Sequence, residues 1–402
     1  MMSQRHRVWA EIDLAALRRN FRRVGARVAE GSSILAVVKA DAYGHGAVPV
    51  ARALEAEPGL WGFGVGDSAE ALELRAAGIE APVLILGTII EDEVPQVVRH
   101  DLRVCIHSMD RIQSLADEAR RQNKRLHVHL MVDTGMGRLG AQPPRATELA
   151  HVIAQNDSLI LEGLASHVSS TRPGHPFSEL QHQKLEGLLN ELEAEGIRPP
   201  LVHFANTAAI LGKVGTGLEL VRPGISLYGV MAAEMAPLAA GMEPVMSLRT
   251  QVVYLKDVPP GTPVGYNGTH VTSQQTRIAT LPVGYNDGLA YRLSNKGRAL
   301  VRGALAPIVG AISMDYTMLD VGHIPGVCVG DVVTLSGEDG AQRIEIPELA
   351  SLIGTIPYEV ACAVGKRVRR VYTRPEAEGK AGDMAHTRFD RADPPSVDVT
   401  NS

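Results

Sequence analysis

Along residues 13–225, short apolar runs alternate with segments whose apolar positions recur at helical spacing. The runs are 34–39 (ILAVVK), 61–65 (WGFGV), 82–86 (PVLIL), 103–106 (RVCI), 126–133 (LHVHLMVD), 159–166 (LILEGLAS), 200–205 (PLVHFA) and 219–222 (ELVR). Strands that are apolar throughout are covered on both faces, and helices between them make the strands parallel. Some helices declare their ends. "DLAALRRNFRRV" offers Asp13 as N-cap and places Leu14, Leu17, Phe21 and Val24 on one face. "GDSAEALELRAAG" offers Asp67 as N-cap, Glu70 as its capping-box partner and Gly78 past the end. Eight such units predict an α/β fold, a (β/α)8 barrel of the TIM type over residues 13–240, with chemistry at the C-terminal ends of its strands. Periodicity alone does not show closure, so an open doubly wound sheet is the alternative.

Past residue 240 the helical period disappears. Strand-like runs separated by Gly and Pro turns, such as "TRIATLPVGYNDG" and "VGDVVTLSG", predict a β-rich C-terminal domain over 241–373. Residues 1–12 are expected to pack on that domain. The stretch 374–402 has too few apolar residues for a core and is expected to be disordered.

Composition narrows the function classes. The chain has 402 residues and a formal net charge of −5, which speaks against nucleic acid or an anionic membrane as partner. Its three cysteines, Cys105, Cys328 and Cys362, are far apart, which argues against a disulfide framework and against a metal site. No run approaches the roughly 20 apolar residues of a membrane helix, and "MMSQRHRVWAEIDLAAL" has no apolar leader core, so the expected location is the cytoplasm.

If the barrel closes, charged residues gather where its strands end. Lys39 ends the first strand, Arg138 follows the fifth in "VDTGMGRLG" and His167 follows the sixth. His203 and Asn206 mark the end of the seventh, and Arg222 that of the eighth. Alone, each has a plainer reading: a surface lysine, a structural histidine, a glycine turn. Together at successive strand ends they make a basic mouth fit for an anion. In such barrels a phosphate sits by the last two strand-end loops, where Thr207 starts a helix and "RPGIS" offers the N–H groups of Gly224 and Ile225. A phosphate there, with a lysine opposite, suggests a phosphorylated aldehyde bound as a Schiff base, and pyridoxal phosphate meets both demands.

Eight motifs in order, "AVVKADAYGHG", "VDTGMGRLG", "HFANTAAI", "VRPGISLYG", "VGYNGT", "PVGYNDG", "GAISMDYTMLD" and "TIPYEVACAVGKRVRRVY", resemble the alanine racemases from about residue 9 to 372. The resemblance implies a pyridoxal-phosphate enzyme that interconverts L- and D-alanine and supplies D-alanine for peptidoglycan. By the same resemblance, Lys39 carries the cofactor. Tyr43, Thr207, Gly224, Ile225 and Tyr358 hold its phosphate. Arg222 faces the pyridine nitrogen, with His203 behind it and His167 beside the ring. Arg138 reaches the phenolic oxygen and the substrate carboxylate, and the backbone N–H of Met314 closes the substrate pocket. Tyr266, supplied by the second subunit of a homodimer with shared active sites, is the base opposite Lys39, and the His167–Arg222 side is expected to draw off its proton.

Three positions depart from the family pattern. Met131 stands where many members carry a carbamylated lysine that orients the arginine, so Arg138 must be held otherwise, for instance by a bound anion. Ser313 replaces a frequent cysteine, and Pro357 a frequent asparagine. A serine or broad-specificity racemase of the same fold is the alternative activity. A non-catalytic pyridoxal-phosphate carrier would lack the second domain, and a barrel decarboxylase would leave "VGYNGT" unexplained.

Overall fold

The structure is a computed structural model that describes residues 6–373; the expected disordered stretch 374–402 lies outside the described residues. The first strand, β1 (Val8–Asp13), runs directly into helix α1 (Leu14–Gly25). Asp13 ends the strand and caps the helix, its carboxylate accepting the N–H groups of Ala15 and Ala16, both at 2.9 Å. Leu17, Phe21 and Val24 are buried on the inner face, while Leu14 is only partly covered. Burying side chains of this size contributes about 1.5–3 kcal/mol each, which is what fastens the helix to the strands beneath it.

Eight parallel strands then follow: β2 (Ser33–Val37), β3 (Leu60–Val65), β4 (Val83–Ile85), β5 (Arg103–Ile106), β6 (Leu126–Met131), β7 (Leu159–Ala165), β8 (Leu201–Asn206) and β9 (Leu220–Arg222). They pair in sequence order, and β9 pairs back on β2 through Ser33 opposite Leu220, so the sheet is a closed barrel and the open sheet is excluded. A small layer of Leu35, Leu84, Cys105, Met131, Ala165 and Leu220 fills part of its interior. The larger core lies between strands and helices.

One helix-end expectation is corrected. Asp67 does cap the helix Ser68–Ala76, accepting from the Glu70 N–H at 2.9 Å. The Glu70 carboxylate does not close a capping box, however. It accepts from Gly66 N at 2.7 Å and from Ala40 N at 2.5 Å, which ties the helix start to the chain just after Lys39.

The rest of the chain is β-rich. The main sheet is ordered Ala304–Pro307, Arg298–Val301, Val332–Asp339, Met246–Gln251, β1, Arg369–Thr373. Thus β1 lies between a strand from the start of this region and one from its end, antiparallel to the first and parallel to the second. A second sheet joins Tyr254–Val258, Thr276–Leu281 and Thr317–Asp320. Arg370 and Tyr372, on the edge strand Arg369–Thr373, reach back to the barrel: Arg370 Nε donates to Gly44 O at 3.1 Å and Tyr372 Oη to His45 O at 3.2 Å. Among the described residues no helix is long and apolar enough to cross a membrane.

Candidate active site

The chain leaves β2 through Val38 and Lys39 and then turns the wrong way. Ala40, Asp41, Ala42 and Tyr43 have φ of 54, 52, 54 and 55°, one turn of left-handed helix without a glycine. Such a backbone costs an L-residue roughly 1–2 kcal/mol per position, so it persists only where surrounding contacts over-determine it. They are all present. Glu70 holds Ala40 N, the Asp41 carboxylate accepts from Ala47 N at 2.8 Å, and His45 Nδ1 donates to Ala42 O and Tyr43 O at 2.9 and 3.0 Å. Arg370 and Tyr372 clamp the far end. Gly44 leads out of the turn at φ 82°, where a Cβ would lie 2.5 Å from Ala361 O. The turn leaves Lys39 just past the C-terminal end of β2 and sets Tyr43 Oη against Gly224.

Lys39 is reached by solvent, yet burial and then the positive Arg138 lower its pKa, against the opposing pull of Glu70. Lys39, Arg138, His167 and Arg222 feel one another. Burial, followed by the charges of Arg222, Arg138 and Lys39, pushes His167 down to about 3, so its imidazole is neutral at any working pH.

Arg222, the last residue of β9, is buried, and burial followed by Arg138 brings its guanidinium to about 10, still cationic at neutral pH. Its terminal nitrogens donate to His203 Nδ1 (2.5 Å), His203 O (3.0 Å), Ser166 O (2.6 Å), Phe204 O (3.1 Å) and His167 Nδ1 (3.3 Å). Among the described residues no carboxylate bonds to it, and none of these bonds uses Nε. His203 is not at the mouth as expected: it is the third residue of β8, fully buried, its ring turned inward beneath Arg222.

Beside this cluster lies a cradle of hydroxyls. Thr207 starts the short helix after β8 and its Oγ1 accepts from Gly224 N at 3.2 Å, with Ser226 Oγ 3.0 Å away. Tyr43 Oη lies where a Cβ on Gly224 would come within 2.5 Å, so glycine alone leaves the space. Ile225 follows, buried, and the Tyr358 ring stands 6.1 Å from that of Tyr43. These donors suit a phosphate. The donor set as a whole fits pyridoxal phosphate: hydroxyls and N–H groups at one end, a lysine of depressed pKa, and a cation that can only donate.

The remaining candidates stand apart. Tyr266 and Met314 are on the β-rich side, 71% and 53% exposed, and no hydrogen bond joins either to Lys39, Arg138, His167 or Arg222 within the described chain. The expected influence of His167 and Arg222 on Tyr266 has no contact to carry it inside one chain. Arg138 has no hydrogen bond or ion pair among the described residues. Met131, which stands where many family members carry a carbamylated lysine, is buried in the barrel's inner layer. Sequence reasoning missed Ser226, Arg370 and Tyr372. All three lie inside quoted motifs, Ser226 in "VRPGISLYG" and Arg370 and Tyr372 in "TIPYEVACAVGKRVRRVY", but the roles of the last two depend on contacts across the chain.

Residues 12–232 match the alanine racemase N-terminal domain family and residues 245–372 the alanine racemase C-terminal domain family. The chain is 40% identical over 370 residues to the alanine racemase of Methanococcus maripaludis, covering 91% of this chain and 99% of that protein. It is 42% identical over 371 residues to that of Geobacter sulfurreducens, covering 91% and 97%. The crystal structure of alanine racemase from D-cycloserine producing Streptomyces lavendulae superposes with a TM-score of 0.87 at 35% identity, covering 93% of this chain and 98% of that one.

Proposed function

We propose how this chain, which belongs to the alanine racemase family and is an amino-acid racemase, interconverts L- and D-alanine. The observation that carries the reading is a lysine just past the end of one barrel strand, its pKa lowered by burial and then by Arg138, in a barrel whose last strand ends in the buried Arg222 beside a hydroxyl cradle. In this reading residues 13–240 form the cofactor-binding domain and 241–373 the second domain. Pyridoxal phosphate supplies, when bound, an electron sink conjugated to the substrate's α-carbon, so the α-proton becomes acidic. Lys39 holds that cofactor. Tyr43, Thr207, Gly224, Ile225 and Tyr358 bind its phosphate. Arg222, a permanent donor, would keep the ring nitrogen unprotonated, tempering the sink and favouring return of the proton to the α-carbon. His203 supports Arg222, and His167 lies beside the ring. Arg138, lacking a carboxylate partner of its own, takes the substrate carboxylate.

Inversion needs a proton removed from one face and delivered on the other. Lys39 Nζ serves one face, and its lowered pKa leaves more of the neutral amine for that work. Tyr266 of the partner subunit serves the other, with the partner's Met314 N–H closing the pocket. An exposed Tyr266 that touches no group of its own chain's cluster supports a shared site in a homodimer. The product D-alanine suits peptidoglycan synthesis in the cytoplasm.

The test is α-proton exchange in D₂O, followed by NMR over a panel of L- and D-amino acids with product chirality read alongside. Fast exchange with inversion for alanine is expected. Faster exchange for serine would move the substrate assignment, and exchange without inversion would overturn the two-face mechanism.

A further inference from the structure

Two buried polar residues have no place in that mechanism. His129, on β6, is fully buried, and Glu162, on β7, is largely so. They continue the line that starts at Arg222. His203 Nε2 lies 2.8 Å from His129 Nδ1, and His129 Nε2 lies 3.1 Å from Glu162 Oε2. The slot for the His129 ring is built: Gly163 pairs with His129 across the sheet, and a Cβ there would fall 2.1 Å from His129 Nδ1. The far carboxylate is itself held, with Arg103 Nε at 3.2 Å from Oε2 and His127 Nε2 at 4.0 Å from Oε1.

Donor rules fix the protons along this row. A guanidinium only donates, so His203 Nδ1, which faces Arg222, is bare and His203 carries its proton on Nε2. That proton points at His129 Nδ1, which is therefore also bare, and His129 donates from Nε2 to Glu162. Each imidazole is neutral and each nitrogen has one partner. Turning His129 around sets N–H against N–H at His203 and leaves a bare nitrogen facing the carboxylate; turning His203 around sets its N–H against the guanidinium and leaves two bare nitrogens facing each other. Burial and then Arg222 hold His203 well below its ordinary pKa, while burial outweighs the Glu162 carboxylate at His129.

We propose that Glu162 and His129 are positioning residues which, through His203, fix the direction and place of the Arg222 donor. Arg222 is otherwise a buried cation bonded only to carbonyl oxygens and imidazole nitrogens, so the row links it to the one carboxylate that terminates these bonds. Chains of such bonds polarise one another in a low dielectric, which passes the carboxylate's influence across the barrel. The consequence for the reaction rests on Arg222 facing the cofactor ring; the proton order itself does not.

The first experiment is ¹⁵N NMR of the cofactor-free protein labelled at histidine. Wild type should show both His129 and His203 protonated at Nε2 alone, with a through-bond coupling between His129 Nδ1 and His203 Nε2. Protonation of His203 at Nδ1, or absence of that coupling, overturns the proposal without any variant. Glu162→Gln should keep both tautomers, since its amide oxygen still accepts. Glu162→Leu should mix the tautomers of His203, two hydrogen bonds away, and lower kcat of the holoenzyme about tenfold with KM little changed, the smaller end of what outer partners of a working histidine cost. His203 signals in Glu162→Leu identical to wild type would also overturn it. The expected tautomers in a wild-type protein that does not racemise alanine would leave the row standing and sink the functional reading instead.

Discussion

Two faces carry the candidate chemistry, and they are built in opposite ways. The barrel mouth holds Lys39 on a strained left-handed turn, gripped by Glu70, His45, Arg370 and Tyr372, with Arg222 buried behind it. The β-rich face presents Tyr266 and Met314 to solvent, with no bond from either to that cluster. One half of the site is completed within the chain; the other is left open for something to complete. The proposed shared site in a symmetric dimer accounts for both features, because each subunit would hold its lysine alone and lend its tyrosine away.

The largest effects should come from cutting each half. Lys39→Ala and Tyr266→Phe should each lower racemisation by about 10²–10⁴-fold or more, the range for losing a proton-transfer group. Unfolding and refolding the two variants together should restore about a quarter of wild-type activity, since half the dimers are hybrids with one of two sites intact. No recovery would mean that Tyr266 acts within its own chain, and the contrast between the faces would lose its explanation.

Next in size is the turn. Gly44→Ala puts a Cβ against Ala361 O at positive φ, and should cost about 2–4 kcal/mol in chemical denaturation. Tyr266→Phe, on the exposed face, should cost no more than about 0.5 kcal/mol in the same measurement. Equal costs would show that the two faces do not differ in constraint.

His45 gives a pH signature to the braced side. Burial lowers it from 6.5 to about 4, against two carbonyl acceptors that favour its proton, while its Nε2 has no partner among the described residues. The unfolded chain binds this proton below about 6.5 and the folded one only near 4, so stability falls as pH drops through that window, by at most roughly 3 kcal/mol from this group. His45→Asn, whose side-chain amide replaces Nδ1–H, should flatten that part of the profile. An unchanged slope between pH 6.5 and 4 would assign the acid sensitivity elsewhere, His167 being the nearest rival.

The smallest effect is expected at Asp67. Removing this cap as Asp67→Ala should cost about 1 kcal/mol. It should leave racemisation nearly untouched, because Glu70 rather than Asp67 reaches the lysine turn. A loss of activity far beyond the loss of stability would show that the helix start itself positions Lys39.

Much of this was legible in the chain. Continuous apolar runs at regular intervals carry the strand positions, since burial on two faces leaves no freedom of pattern, while closure into a barrel shows only in the pairing of Ser33 with Leu220. The basic residues at strand ends and the hydroxyls around Gly224 could be read as a site because barrel topology maps sequence position onto one end of the molecule. What stayed hidden were contacts between distant positions. Glu70 looked like a local cap partner, and only the fold brings Ala40 to its carboxylate from 30 residues away. His129 and Glu162 lie inside the runs "LHVHLMVD" and "LILEGLAS", where no local signal pairs them.

The sequence by itself therefore determined which segments become strands, which residues crowd the mouth, and which family the order of motifs resembles, because those properties are carried by local period and composition. Tertiary structure alone decided that "ADAY" winds left-handed and that Arg222 ends a row of oriented protons. A backbone without glycine does not choose that hand locally. It does so when Glu70, 30 residues from Ala40, and Arg370 and Tyr372, 326 and 327 residues away from Gly44 and His45, add their bonds to those of Asp41 and His45.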